Sequence, residues 1–180
     1  MTLTFLYKGA HLDKARVHKY TRRLSYIRVF PRKYSESKMN GLAAKIKACN
    51  WDEYYTDLTN IRRTVFVEEQ NVDERDEWDS SDPNHYHFMA LIGSDAVGCG
   101  RLVRDGQIGR MAVLAKYRNQ GIGGRLLRFM IRFASDNHVN HVFLHAQTHA
   151  IPFYSQFGFE VEGDVFHEAG IPHQFMKLVS

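Results

Sequence analysis

Seven residues in the second half of the chain, Arg118-Asn119-Gln120-Gly121-Ile122-Gly123-Gly124, combine glycine and cation in a way that suits an anionic oxygen ligand. Glycine lets backbone N–H groups crowd around such a ligand. An apolar-periodic helix that opens near Ile122 would add the partial positive charge of its N-terminus. Arg118 and Arg125 bracket the same spot, so the chemistry calls for a phosphate or pyrophosphate. A Walker loop would need Lys-Ser or Lys-Thr after the glycines, and neither follows. A dinucleotide fingerprint would need glycine where Leu126 stands, and glycines closer to a strand end. What remains is Arg-x-x-Gly-x-Gly after a strand.

Other reactive side chains give weaker signals. His138, His141, His145 and His149 recur at helical steps, but Val142-Phe143-Leu144 between them reads as a strand. No cysteine or carboxylate completes a ligand set with them, and no metal is expected. Cys49 and Cys99 fit neither a metal spacing nor a disulfide framework, so a reducing, cytoplasmic setting is the default expectation. From Val67 to Asp79 the chain packs seven acids into thirteen residues. This is either a solvated loop or an acidic lip that draws in a cationic amine.

The elements that must position these groups follow from periodicity. Leu42–Cys49 alternates as a first strand, Asp52 is placed to cap a helix, and Tyr55, Leu58, Ile61, Val65 and Phe66 mark its buried stripe. His85–Ile92 and Ala96–Val103 pair through Gly93-Ser94-Asp95, and Asp105-Gly106 turns the chain into the strand Gln107–Leu114. After Gly121 a helix buries Ile122, Leu126, Met130, Phe133 and Ala134, and Val142–Ala146 is the next strand. Strand, helix, strand in that order implies a right-handed crossover, so these last two strands run parallel. A parallel pair in an otherwise antiparallel sheet leaves room for a cleft, with the phosphate loop at its mouth. Further on, Pro152 suits a first helical turn and Gly158 the cap that ends it.

Two motifs in this order resemble the GNAT superfamily of N-acetyltransferases. Arg118 to Gly123 matches that family's acetyl-CoA pyrophosphate loop, Gln/Arg-x-x-Gly-x-Gly/Ala, and Phe153 to Phe159 matches its Phe-Tyr-x-x-x-Gly-Phe helix. The stretches Ile61–Gln70 and Glu168–His173 are similar to the small bacterial YjcF-like branch. The resemblance implies an α/β fold, a mixed and mostly antiparallel sheet flanked by helices, with one splayed parallel pair. It implies acetyl-CoA as cosubstrate, held by the backbone of Met111, Ala112 and Val113 and by residues Arg118 to Gly124, namely Arg118, Asn119, Gln120, Gly121, Ile122, Gly123 and Gly124. It makes Tyr154 the proton donor to the leaving thiolate. The family often takes its base from a strand glutamate, but Ile108–Leu114 holds no carboxylate. Glu69 and His149 are the candidates for that role.

Charge divides the chain. Residues 1–38 hold ten Lys/Arg against two acids, whereas residues 39–180 hold fourteen against eighteen. The first 38 residues therefore read as a basic extension outside an acetyltransferase domain spanning 39–180, and Met39 is an alternative start. Within the extension Val17, Tyr20, Leu24 and Ile27 trace a basic amphipathic helix that could meet a membrane surface or nucleic acid. The mildly acidic domain argues against nucleic acid as its own partner. No apolar run is long enough to span a membrane. The expected acceptor is a small-molecule amine or a protein lysine, and a homodimer is left open. A non-catalytic acyl-CoA-binding module is the competing reading.

Overall fold

The computed structural model describes residues 44–179, and the basic extension lies outside them. The described chain runs β1 (Lys45–Cys49), α1 (Tyr55–Arg62), a π-helical turn (Arg63–Glu69), α2 (Glu74–Glu77), β2 (Tyr86–Ile92) and β3 (Asp95–Leu102). It continues with β4 (Gln107–Val113), α3 (Ile122–Asp136), β5 (Phe143–Gln147), α4 (Ile151–Ser155), β6 (Phe159–Glu168) and β7 (Ile171–Leu178). Seven strands form one sheet in the order β1-β2-β3-β4-β5-β7-β6. Every neighbouring pair is antiparallel except β4–β5, which is parallel. The expected mixed sheet with one parallel pair is therefore present.

Strand alternation sends successive side chains to opposite faces, and helices cover both. On one face α3 buries Leu126, Leu127, Met130 and Ala134 against Phe88, Leu102, Ile108 and Leu144. Leu126, Leu127 and Met130 lose all exposure, worth roughly 1.5–3 kcal/mol each. On the other face α1 and the π-turn set Leu58, Ile61 and Val65 on Cys99 and Ala112.

The start of α1 differs from expectation. Asn50, not Asp52, supplies the capping oxygen, accepting from the N–H groups of Asp52 at 2.9 Å and Glu53 at 3.3 Å. A short turn then precedes the helix proper, and Leu58, Ile61 and Val65 are buried as the stripe requires. Tyr55, assigned to the same stripe, is the first residue of α1 and is 54% exposed.

The last two strands have no counterpart in the sequence reading. They form a long hairpin closed by Ala169 (φ +47°) and Gly170 (φ +75°), both left-handed, the conformation that a two-residue turn between twisted strands demands. This hairpin inserts β7 between β5 and β6.

Candidate active site

The central feature begins with one residue of β4. Opposite Gly100 the strand carries two residues, because Arg101 pairs with Gly109 while Cys99 pairs with Ala112. This is a β-bulge, and Arg110 within it takes a left-handed φ of +51°. A bulge bends its strand, and β4 consequently leaves β5 after only two pairs, Gln107 with Phe143 and Ile108 with Leu144. Beyond them Ala112 and Val113 still pair with β3, so their other backbone edge faces an open wedge rather than β5.

The strain at Arg110 is held in place by the acidic segment. Its guanidinium donates to the carbonyls of Asp76 (3.3 Å) and Glu77 (3.2 Å), and its Nε lies 3.1 Å from the Glu77 carboxylate. Glu77 is itself buried and bonded to Arg62, whose other donors reach Asp82 at 2.9 Å and the Glu77 carbonyl at 2.8 Å. Arg101 closes the network on Asp82 (2.6 Å) and Asp79 (3.1 Å). Burial pushes the Glu77 carboxyl up against the pull of Arg110 and Arg62. Hydrogen bonds from Ser81 are the main cause holding Asp79 down at about 2. The segment read as a solvated loop or acidic lip is exposed at Glu68, Glu69, Asp73, Glu74 and Asp76, while Glu77 and Asp79 are drawn into this arginine network. Glu69, Asp73 and Glu74 also meet an arginine, at the surface.

At the mouth of the wedge stands the glycine turn. Asn119 (φ +61°) and Gly121 (φ +75°) both adopt the left-handed region, and Gly121 is the residue before α3. No side chain caps this helix, and its first bond runs from the Arg125 N–H to the Gly121 carbonyl. The N–H groups of Ile122, Gly123 and Gly124 therefore have no carbonyl one turn earlier to accept them, which suits a phosphate. Gln120 folds its amide back on the Lys116 carbonyl. A Cβ on Gly123 would stand at ordinary contact with Phe153 (3.7 Å) and Val113 (3.9 Å), so strand, turn and α4 meet there. Gly124 has a packing role as well, since a Cβ would come within 2.9 Å of the Phe157 ring.

Arg118 ties the turn to the rest of the wedge. Its Nε donates to the Val113 carbonyl at 2.8 Å, and its two terminal nitrogens grip Glu69 at 2.5 and 2.6 Å. That fork holds the Glu69 carboxyl below its ordinary range, which weakens it as a base. The next residue, Gln70, accepts from the Gln147 amide at 2.9 Å, at the end of β5. Glu69 and Gln70 thus bridge the two separating strands. His149 is exposed in the tight turn between β5 and α4.

Tyr154 lies on α4, with Pro152 in its first turn; Gln156 rather than Gly158 is its cap, and Gly158 (φ +87°) takes the left-handed conformation in the turn that follows. It is half-buried against the main core, with the rings of Phe153 and Phe159 at 5.0 and 6.1 Å. Burial alone pushes its phenol up to about 12, so at neutral pH it carries its proton.

The sequence profile of the acetyltransferase (GNAT) domain matches residues 52–180. The uncharacterized N-acetyltransferase YjcF of Bacillus subtilis (strain 168) is 37% identical over 131 residues, covering 70% of this chain and 94% of the relative. Among solved structures, an acyl-CoA N-acyltransferase from Pseudomonas aeruginosa superposes with a TM-score of 0.69 at 25% identity, covering 76% of this chain and all of the other. Escherichia coli ElaA superposes with a TM-score of 0.68 at 25% identity, over 76% and 99% of the two chains.

Proposed function

The chain belongs to the GNAT acetyltransferase family, in its YjcF-like branch, and from that premise we propose that it moves an acetyl group from acetyl-CoA to a primary amine by direct attack. The family places it among acyltransferases that draw on an acyl-CoA. The observation that carries the finer reading is the wedge itself, where β4 parts from β5 beside the uncapped N-terminus of α3. A pyrophosphate fits the free N–H groups around Gly121 to Gly124, with Asn119, Gln120 and Ile122 completing the turn. The pantetheine arm then lies along the exposed backbone edge of Met111, Ala112 and Val113.

The chain's own groups divide the work. Backbone N–H groups along β4 are placed to stabilise the oxyanion that forms on the thioester carbonyl. Tyr154, protonated and desolvated, gives its proton to the departing sulfur. Glu69 positions Arg118, keeping the phosphate turn docked on Val113. The acceptor must arrive as a free amine. At pH 7 an alkylamine of pKa near 10.4 is neutral about once in a few thousand molecules.

A second reading rests on the lack of any carboxylate in β4, and makes the protein an acyl-CoA-binding module without turnover. Amine-dependent release of coenzyme A thiol separates the two. We expect release above the hydrolytic blank with at least one of phenethylamine, spermidine, glucosamine and a lysine peptide. Binding of acetyl-CoA with no release on any of them would favour the module.

A further inference from the structure

Strand β5 supplies a group that neither the loop nor the tyrosine motif involves. His145 is the first residue of β5 past its last partner on β4, so it stands where the wedge opens. Its neighbours Leu144 and Ala146 are buried in the core that α3 covers. Alternation therefore turns His145 to the opposite face of the sheet. There its Nδ1 lies 2.6 Å from a Glu168 carboxylate oxygen, which leaves Nε2 for another partner. Phe166 meets the imidazole edge-on at 5.0 Å, and Phe175 and Phe143 stand at 6.1 and 6.3 Å. The side chain is 27% exposed, reachable yet largely ringed by aromatic carbon.

A neutral imidazole whose Nδ1–H is held by a carboxylate presents Nε2 as a proton acceptor, in a fixed tautomer and orientation. Aromatic faces beside it attract a cation, and the reaction needs an ammonium to lose a proton before it can attack. We propose that His145, oriented by Glu168, is the general base that takes this proton. The inference rests on the acyl-transfer reading above. An N–H bond of the ammonium breaks and its proton passes to Nε2. The freed lone pair forms the C–N bond at the thioester carbonyl carbon. As the C–S bond breaks, the sulfur takes the Tyr154 proton, and the second proton lost by nitrogen restores that hydroxyl. The proton on His145 returns to solvent. Glu168 touches no reacting atom and is a positioning residue.

The test compares two acceptors whose protonation differs. The first is whichever alkylamine of the panel above the wild-type protein acetylates fastest, and the second is hydroxylamine, which is neutral at pH 7 and needs no base. His145→Gln should lower turnover of the alkylamine by at least ~10²-fold, with the KM for acetyl-CoA unchanged and little loss on hydroxylamine. Glu168→Gln should show a weaker form of the same split, and it serves if the first variant does not fold. Equal losses on both acceptors in the two variants would make the pair structural, and undiminished alkylamine turnover would remove it from the reaction. If the folded wild-type protein acetylates neither acceptor, the acyl-transfer reading falls, and this inference with it.

Discussion

Tyr154 and Gly123 carry opposite kinds of information at the scale of single residues. In the proposed reaction Tyr154 acts through one hydroxyl, and burial rather than a charged neighbour raises its pKa to about 12. That direction keeps the hydroxyl protonated at neutral pH, so a proton is present to be given, while making the phenol a weaker acid than free tyrosine. Gly123 acts through what it lacks. A bare Cβ there would fit, because its nearest neighbours are Phe153 and Val113 at 3.7 and 3.9 Å. The branched γ-carbons of valine would instead reach into the space around the helix start. Gly123→Val should therefore weaken acetyl-CoA binding, measured by calorimetry, by about tenfold or more, equivalent to ~1.4 kcal/mol. Its melting temperature should stay close to wild type. Unchanged affinity in the folded variant would take the phosphate away from this turn.

Among the elements, the acidic segment and β4 are one mechanical unit. Arg110 is strained at the bulge that opens the wedge, and Glu77 and the carbonyls around it hold that strain. Arg62 anchors Glu77 in turn, and Arg62, Glu77 and Asp82 are almost wholly buried. Removing one partner of such a set leaves charge without compensation, at a cost of roughly 3–5 kcal/mol. Arg62→Leu should lower stability to chemical denaturation by about that much, and loosen acetyl-CoA binding through the bulge. A loss below ~1 kcal/mol would place the pairing in the surface class. This unit was not legible in the sequence. Seven acids between Val67 and Asp79 look solvated and five are exposed, but Glu77 is buried because its partners Arg62 and Arg110 come from α1 and β4. The strands through β5, the crossover and α3 were legible, since each has its own period and its own turn residues. Asp52 was mistaken for the cap because its side chain and that of Asn50 have the same capping chemistry. The pairing of His145 with Glu168 depends on β7 lying beside β5, a register that 23 residues of separation do not reveal.

Across the whole molecule the sheet is a partition with one opening. Helices α3 and α4 flank the opening on one face, where the free N–H groups and Tyr154 lie. The other face carries the π-turn with Glu69 and Gln70, and His145 with Glu168. In the account proposed here the acyl donor enters from the first face and the amine meets it from the second, so the two reactants converge only at the bulge. Within the described residues no helix is long and apolar enough to cross a membrane. The basic extension lies outside both those residues and the family match, which begins at residue 52. In the proposed reaction this opening performs acyl transfer with Tyr154 as its proton donor. The most direct measurement is the turnover of Tyr154→Phe on the best acceptor as a function of pH, with acetyl-CoA affinity measured alongside. The ring and its packing stay, and only the hydroxyl goes. Coenzyme A leaves as a thiolate whose conjugate acid has a pKa near 8.5, taking cysteine as a guide, so it needs a donor below that pH and less help above it. The variant should keep its affinity, turn over ~10²-fold more slowly near neutrality, and recover in part as the pH rises. Wild-type turnover by the variant across the same range would contradict the proton-donor role.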